Sequence, residues 1–63
     1  MERGFIQSSY YKGLYDDIAH NYRRIAHALD NYGVDMSKEL REALEGIQKA
    51  HRAVLKQMEA ERG

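Results

Sequence analysis

Residues 11–32 read YKGLYDDIAHNYRRIAHALDNY, and apolar side chains recur through them at alternating steps of four and three residues. An α-helix makes 3.6 residues per turn, so this spacing places those side chains along one side of a helix. They form a stripe that we call the first seam: Tyr11, Tyr15, Ile18, Tyr22, Ile25, Leu29 and Tyr32. Because an apolar stripe has to be covered, the pattern predicts a helix that packs against a second element.

That second element follows after a short polar connection. A second seam at the same spacing is formed by Leu40, Leu44, Ile47, His51, Val54 and Met58. We therefore predict an all-α fold in which a hairpin domain, residues 10–63, contains helix 1 over residues 10–32, a turn over 33–36 and helix 2 over 37–61. Two long helices joined by so few residues pack antiparallel.

Glycine and serine residues predict where the helices end and begin. Gly33 suits the left-handed conformation that closes a helix, and Val34 would then pack on Leu29. Asp35 or Ser37 is expected to cap helix 2 with a side-chain oxygen.

The first nine residues show no periodicity, and we predict a flexible arm over residues 1–9. A helix cap is available at its end, since either Ser8 or Ser9 can accept a hydrogen bond from the first turn. Phe5 and Ile6 are placed either to fold back over that turn or to contact a partner.

Length and composition restrict the class of protein. A chain of 63 residues with Cys 0 has no disulfide to stabilise it, and small domains then commonly rely on a second subunit. The absence of cysteine fits a reducing cytoplasm, which is the expected location. The formal net charge is +0, so no overall field attracts nucleic acid or a membrane. We expect no membrane association, since no apolar run approaches the roughly 20 residues that span a bilayer.

The apolar faces are wider than one partner helix covers. Small and apolar residues flank both seams: Leu14, Ala19, Ala26, Ala28, Ala43, Ala50 and Leu55. A lone hairpin would leave part of each face in water, whereas two hairpins bury both as a four-helix bundle. We therefore predict a homodimer.

Charged residues suggest a register for the hairpin. With the turn near residues 33–35, Tyr22 lies level with Ile47. The same register brings Arg24 near Glu45 and Asp17 near Arg52, and such pairs are worth about 0.2–1 kcal/mol each when exposed.

No residue pattern indicates catalysis, a metal or another cofactor. His20 and His27 belong to a repeated Ile-Ala-His unit, but seven residues of helix separate them by about 10.5 Å, too far to share one ion. We predict that the protein is not an enzyme.

His51 is the polar member of the second seam. We expect the hydroxyls of Tyr15 and Tyr22 to form hydrogen bonds with its ring nitrogens; a second interpretation makes it a pH-sensitive element of association.

The expected function is that of a small non-enzymatic regulator or adaptor, which self-associates and binds a protein of unknown identity through a helical face or the arm at Phe5 and Ile6. The alternative is a dimeric RNA-binding modulator, whose contacts would come from the outward side of helix 1: His20, Arg23, Arg24 and His27. In layout alone the chain is similar to the plasmid-encoded RNA-binding modulators of copy number, which are hairpins of this size that pair into four-helix bundles. That likeness carries over no site residue. A third hypothesis is a purely structural oligomerisation module.

Overall fold

A computed structural model describes residues 2–62, and every regular element among them is helical. The order is α1, Glu2–Ile6; α2, Ser9–Tyr32; a single 3-10 turn, Gly33–Asp35; and α3, Lys38–Arg62. The prediction of an all-α fold with two long helices is confirmed, and the ends of both helices lie within one residue of the predicted ones. Met1 and Gly63, which the predicted arm and hairpin domain included, lie outside the described residues.

The predicted arm contains a helical turn. After α1, the Ser8 hydroxyl donates to the carbonyl of Phe5 at 2.6 Å and accepts a hydrogen bond from the Tyr11 amide at 3.1 Å. Ser8 is therefore the cap of α2, with the extended backbone that a capping residue requires. The Phe5 ring meets the Tyr11 ring edge to face, with centroids 5.4 Å apart, so α1 packs on the first turn of α2.

The turn between the long helices differs from the prediction. Gly33 has φ −58° and ψ −35°, which is right-handed, so the expected left-handed closure is wrong. The chain instead tightens into a 3-10 turn, in which the Met36 amide donates to the Gly33 carbonyl at 3.2 Å. Val34 is 91% exposed at this corner, and the expected packing on Leu29 is absent.

The start of α3 is fixed by two side chains. Ser37, rather than Asp35, caps the helix, since its hydroxyl accepts from the Leu40 amide at 3.1 Å. Arg41 reaches back along the turn and donates to the carbonyl of Gly33 at 3.4 Å. These contacts turn α3 back along α2.

The long helices run antiparallel. The Tyr11 hydroxyl, near the start of α2, donates to the Met58 carbonyl, near the end of α3, at 2.5 Å. Midway along the hairpin, Tyr22 and Gln48 border one groove, close to the predicted level of Tyr22 with Ile47. The result is a rod of 45 × 15 × 15 Å whose radius of gyration is 14.3 Å, against about 10.6 Å for a compact domain of this length.

Two grooves lie on opposite sides of the interface between the helices, and they contradict the expected ion pairs. Arg24 borders one groove with Leu44 and His51. Arg52 borders the other with Tyr22 and Gln48. Asp17 borders a further groove with Tyr10 and Leu14. Glu45 precedes Arg52 by seven residues, so it lies on the same side of α3 as Arg52. The pairs Arg24–Glu45 and Asp17–Arg52 are therefore wrong, because their members lie on different sides of the hairpin.

The core of the hairpin is thin. Tyr11 and Met58, 3% and 8% exposed, are the buried apolar side chains among residues 4–62. Of the thirteen seam residues, nine are buried or half-buried, and four are exposed: Tyr32, Leu40, Ile47 and Val54. On α3 the side turned to α2 instead includes half-buried Arg41, Gln48 and Leu55 beside Leu44, His51 and Met58. The hairpin alone thus leaves part of the second seam uncovered.

Candidate functional site

A basic face occupies the outer side of α2. We use this name for His20, Arg23, Arg24 and His27, which border an open groove together with Ala28 and Tyr32. All four basic side chains are exposed. Positions three, four and seven residues apart share one side of a helix, so α2 necessarily displays them together.

The arginine charges on this face have no acidic neighbour along the helix. The residues three and four positions from Arg23 are Ala19, His20, Ala26 and His27. Those at the same spacings from Arg24 are likewise His, Asn or Ala. Carboxylates stand only at the two ends of the face. Both guanidinium groups are therefore free of the helical ion pairs that would partly neutralise them, and the centre of the face attracts anions.

His27 is held in a defined orientation. The Asn31 amide nitrogen donates to the His27 carbonyl at 2.9 Å and lies 3.2 Å from the Nδ1 atom of the ring. An amide nitrogen only donates, so Nδ1 accepts and the ring proton of neutral His27 sits on Nε2. The face therefore offers an N–H donor at His27 even when that histidine is uncharged.

An apolar stripe lies on α3. We use this name for Leu40, Ile47 and Val54, which are 50%, 44% and 43% exposed. They recur every seven residues, so they follow one line along the helix. Ile47 lies about 60° around α3 from Leu44, on the side of the groove that Leu44 and His51 border. The stripe widens the apolar surface of that side of the hairpin.

The arm residues lie at the opposite end of the hairpin from the turn. Ile6 is half-buried in a groove that Tyr11, Tyr15 and Arg62 also border. Phe5 stays exposed on one side while its ring touches Tyr11. Both side chains therefore take part in packing on their own hairpin end, and Phe5 retains the larger accessible surface for a partner.

His51 and Tyr15 do not make the hydrogen bond that was predicted. The His51 Nδ1 atom lies 2.9 Å from the Ile47 carbonyl, which can only accept, so Nδ1 carries the proton and Nε2 is left as an acceptor. The Tyr15 hydroxyl instead donates to the Glu59 carboxylate. This hydrogen bond, together with the nearby negative charge, raises the pKa of Tyr15 above its usual value of 10.0.

Metal ligands do not gather in the part of the chain whose side chains the structure describes: no three His, Asp or Glu side chains among residues 4–62 are placed to hold an ion. Within the same residues, no helix has the length and apolarity to cross a membrane.

Two residues near the basic face were not predicted as site residues. Asn21 and Asp17 border the grooves beside Arg24 and Leu14, on the side of the hairpin that carries the apolar stripe. A polar residue every three or four positions resembles an ordinary solvated face, so their spacing alone does not set them apart.

No protein-family model, curated protein or solved structure matches the chain.

Proposed function

We propose that this chain is a small non-enzymatic adaptor or regulator that pairs with itself to form a four-helix bundle and binds an acidic segment of another protein. The observation that carries the proposal is the separation of two exposed surfaces. An apolar stripe on α3 is exposed on one side of the hairpin, whereas His20, Arg23 and His27 of the basic face do not border the groove on that side. We assign the first surface to self-association, and His20, Arg23 and His27 then remain free for a partner. Cys 0 is compatible with a cytoplasmic setting.

The accessible surface supports self-association. It measures 5075 Å² for a chain of 7.3 kDa, whereas a compact monomer of that mass exposes about 4,200 Å². The excess, about 900 Å², is close to the roughly 800 Å² that one partner contributes to a typical specific interface. A homodimer would therefore bring the exposed area per chain back to the range of ordinary globular proteins.

The basic face favours an acidic protein segment. A helix or extended peptide with carboxylates would complement Arg23, and Arg binds carboxylates with two parallel hydrogen bonds. His20 is exposed beside it, and His27 adds the Nε2–H donor described above. Recognition of acidic motifs by basic clusters is a recurring mode of peptide binding.

The test is recovery of a partner by the tagged chain from its native cells, with and without nuclease. We expect a protein that still copurifies after nuclease treatment and is lost in Arg23→Glu/His27→Glu. The matched control is Lys38→Glu/Lys49→Glu, which makes two similar charge changes on α3 and should retain the partner. Loss of the protein in the control as well as in the test variant, or no difference between the test variant and wild type, would refute the basic face as the binding surface.

RNA binding is the second candidate function, and the uncommitted arginines favour it. Phosphates would be bound by Arg23 and Arg24, and a base would stack on exposed Tyr32. In that case binding of a labelled RNA pool weakens steeply between 50 and 200 mM salt, as counterion release requires, and Arg23→Gln/Arg24→Gln abolishes it without unfolding the chain. If the tagged chain captures neither protein nor RNA but still pairs, the structural oligomerisation module is the remaining proposal.

A further inference from the structure

One side of the hairpin has a sequence symmetry that the predicted seams did not include. On α2 this side is formed by residues at four and three spacing, which we call the α2 stripe: Tyr10, Leu14, Asp17, Asn21, Arg24, Ala28 and Tyr32. Its members border three grooves in succession along the helix. The apolar stripe of α3 flanks the same side, because Leu44 and His51 border the middle groove and Ile47 lies about 60° around α3 from Leu44, on the side of His51.

The α2 stripe is arranged symmetrically about Asn21. Leu14 and Ala28 lie seven residues before and after it, and Tyr10 and Tyr32 lie eleven residues before and after it. Two such stripes placed antiparallel, with their Asn21 residues together, would set aromatic residue against aromatic residue at the ends. They would set the large Leu14 against the small Ala28, which suits close packing of helices.

The charges of the α2 stripe are also complementary under this arrangement. Asp17 lies four residues before Asn21 and Arg24 lies three residues after it, so the acid of one copy meets the base of the other, twice. Both side chains are exposed in the single hairpin. The two Asn21 amides would meet at the centre, where each can donate and accept, and a paired Asn at a helix interface fixes the register of association.

The same axis suits α3. In the register of the hairpin, Asn21 of α2 lies level with the segment of α3 from Gln48 to His51, since Asn21 shares a groove with His51 and its neighbour Tyr22 shares one with Gln48. An antiparallel pair of α3 helices centred there runs the apolar stripe of one copy alongside the apolar stripe of the other.

We infer that the partner on this side is a second copy of the chain, related by a two-fold axis that passes near Asn21 and Gln48, with α2 against α2 and α3 against α3. This inference rests on the proposed self-association and adds its geometry. A two-fold interface uses the same patch on both copies, which is the property that the symmetric stripe has. The excess surface of about 900 Å² per chain is enough for such an interface.

Two other arrangements conflict with the charges. Parallel stripes would place Asp17 against Asp17 and Arg24 against Arg24, which is unfavourable. Packing of α2 against α3 of the second copy would place Asp17 and Arg24 against Leu40, Ile47 and Val54 alone, leaving buried charges without partners. The antiparallel pairing of like helices avoids both costs.

Charge exchange tests the arrangement. Asp17→Arg and Arg24→Asp each place like charges across the axis, and we expect each to raise the dissociation constant of the dimer about 10-fold or more, measured by analytical ultracentrifugation. The double variant Asp17→Arg/Arg24→Asp restores opposite charges and should return the constant to within about threefold of wild type. The matched controls are Asp16→Arg and Arg23→Asp, one position away on α2, which should leave it unchanged.

Disulfide trapping tests the direction of the helices. The chain has Cys 0, so introduced cysteines are the only ones present. An equimolar mixture of Leu14→Cys and Ala28→Cys should form a mixed disulfide on oxidation, because their Cα atoms approach the required 4.4–6.8 Å only in the antiparallel pairing. Leu14→Cys alone should not cross-link. His20→Cys, on the basic face, is the negative control.

The outcomes separate the inference from the proposed function. A dimer whose charge exchange behaves as described and whose mixed disulfide forms supports the inference. A dimer that ignores both single charge reversals, or a Leu14→Cys variant that cross-links to itself, overturns the geometry while self-association stands. A wild-type chain that remains monomeric at millimolar concentration overturns both. Circular dichroism of each variant verifies that the helices are retained.

Discussion

The hydroxyl of Tyr11 donates a hydrogen bond of 2.5 Å to the backbone carbonyl of Met58, and these two residues are also the most buried side chains of the hairpin. Packing and hydrogen bonding thus coincide at the end of the rod opposite the turn. Edge-to-face contact with Phe5 covers the same tyrosine ring from α1. This contact joins the first turn of α2 to the last turns of α3 and closes the hairpin.

Removing that hydroxyl should weaken the fold by a measurable amount. We expect Tyr11→Phe to lower the free energy of unfolding by about 0.5–1.5 kcal/mol, the usual net value of one hydrogen bond. Tyr11→Ala, which also removes the buried ring, should cost about 3–5 kcal/mol. Urea unfolding followed by circular dichroism, at one fixed protein concentration, measures both.

The control for this prediction is the neighbouring tyrosine. Tyr10 is exposed and differs from Tyr11 by one position, so Tyr10→Phe should change the free energy of unfolding by less than about 0.5 kcal/mol. Equal losses in Tyr10→Phe and Tyr11→Phe would show that the Met58 contact does not stabilise the hairpin.

A pH dependence follows from Tyr15. The neutral hydroxyl is the form that donates to Glu59, so the folded chain holds this proton more tightly than the unfolded chain and the pKa of Tyr15 is raised. The resulting stabilisation is fully present below the unfolded pKa of about 10 and is lost as the pH rises through the folded pKa. Wild type should therefore be more stable than Tyr15→Phe at pH 8, and this difference should shrink in alkaline solution.

Absorbance titration near 295 nm measures the same effect directly. The chain has five tyrosines, and we expect one ionisation to move to lower pH in Glu59→Gln, which removes the carboxylate that raises the pKa of Tyr15. Glu61→Gln is the matched control, because the Glu61 carboxylate accepts from Gln57 at 2.8 Å and not from Tyr15. A titration curve that is the same in wild type and Glu59→Gln would contradict the assignment.

Periodicity was sufficient to predict the two long helices and their antiparallel packing, and the reason is physical. Apolar residues spaced by four and three positions fall on one side of an α-helix but not on one side of a strand. A connection of a few residues then makes two long helices lie side by side. The end of the first helix was harder to predict. A glycine after a helix often adopts the left-handed conformation, but Gly33 continues in a right-handed turn whose local hydrogen bonds compete successfully.

Periodicity was insufficient to decide which side of α3 faces α2. Leu44, His51 and Met58 belong to the predicted seam and face α2, whereas Leu40 and Ile47 belong to it and are exposed. Two neighbouring stripes of one helix can both be apolar. Hydrophobicity alone does not show which stripe packs on α2 of the same chain and which packs on another chain. The basic face was predictable as a set of outward residues. The orientation of His27 by Asn31 required side-chain positions.

The right-handed conformation of Gly33 makes its replacement by alanine favourable. A Cβ atom built there would meet the Arg41 side chain at 4.0 Å, an ordinary contact, and the backbone angles suit any residue. We expect Gly33→Ala to raise the free energy of unfolding by about 0.4–1 kcal/mol, because alanine restricts the unfolded chain. Had Gly33 been left-handed, the same change would destabilise the hairpin, so thermal unfolding of this variant discriminates the two turn geometries.

The exposed apolar stripe leads us to expect that stability depends on protein concentration. If Leu40, Ile47 and Val54 are covered only by association, the apparent Tm of wild type should rise with concentration between about 1 and 100 μM, as mass action requires. Ile47→Lys places a charge in the middle of the stripe and should abolish this dependence. Val34→Lys makes the same kind of change at the more exposed residue of the turn, where no partner is expected. A concentration-independent Tm in both wild type and Val34→Lys would show that the hairpin is stable without a second copy, in spite of its thin core.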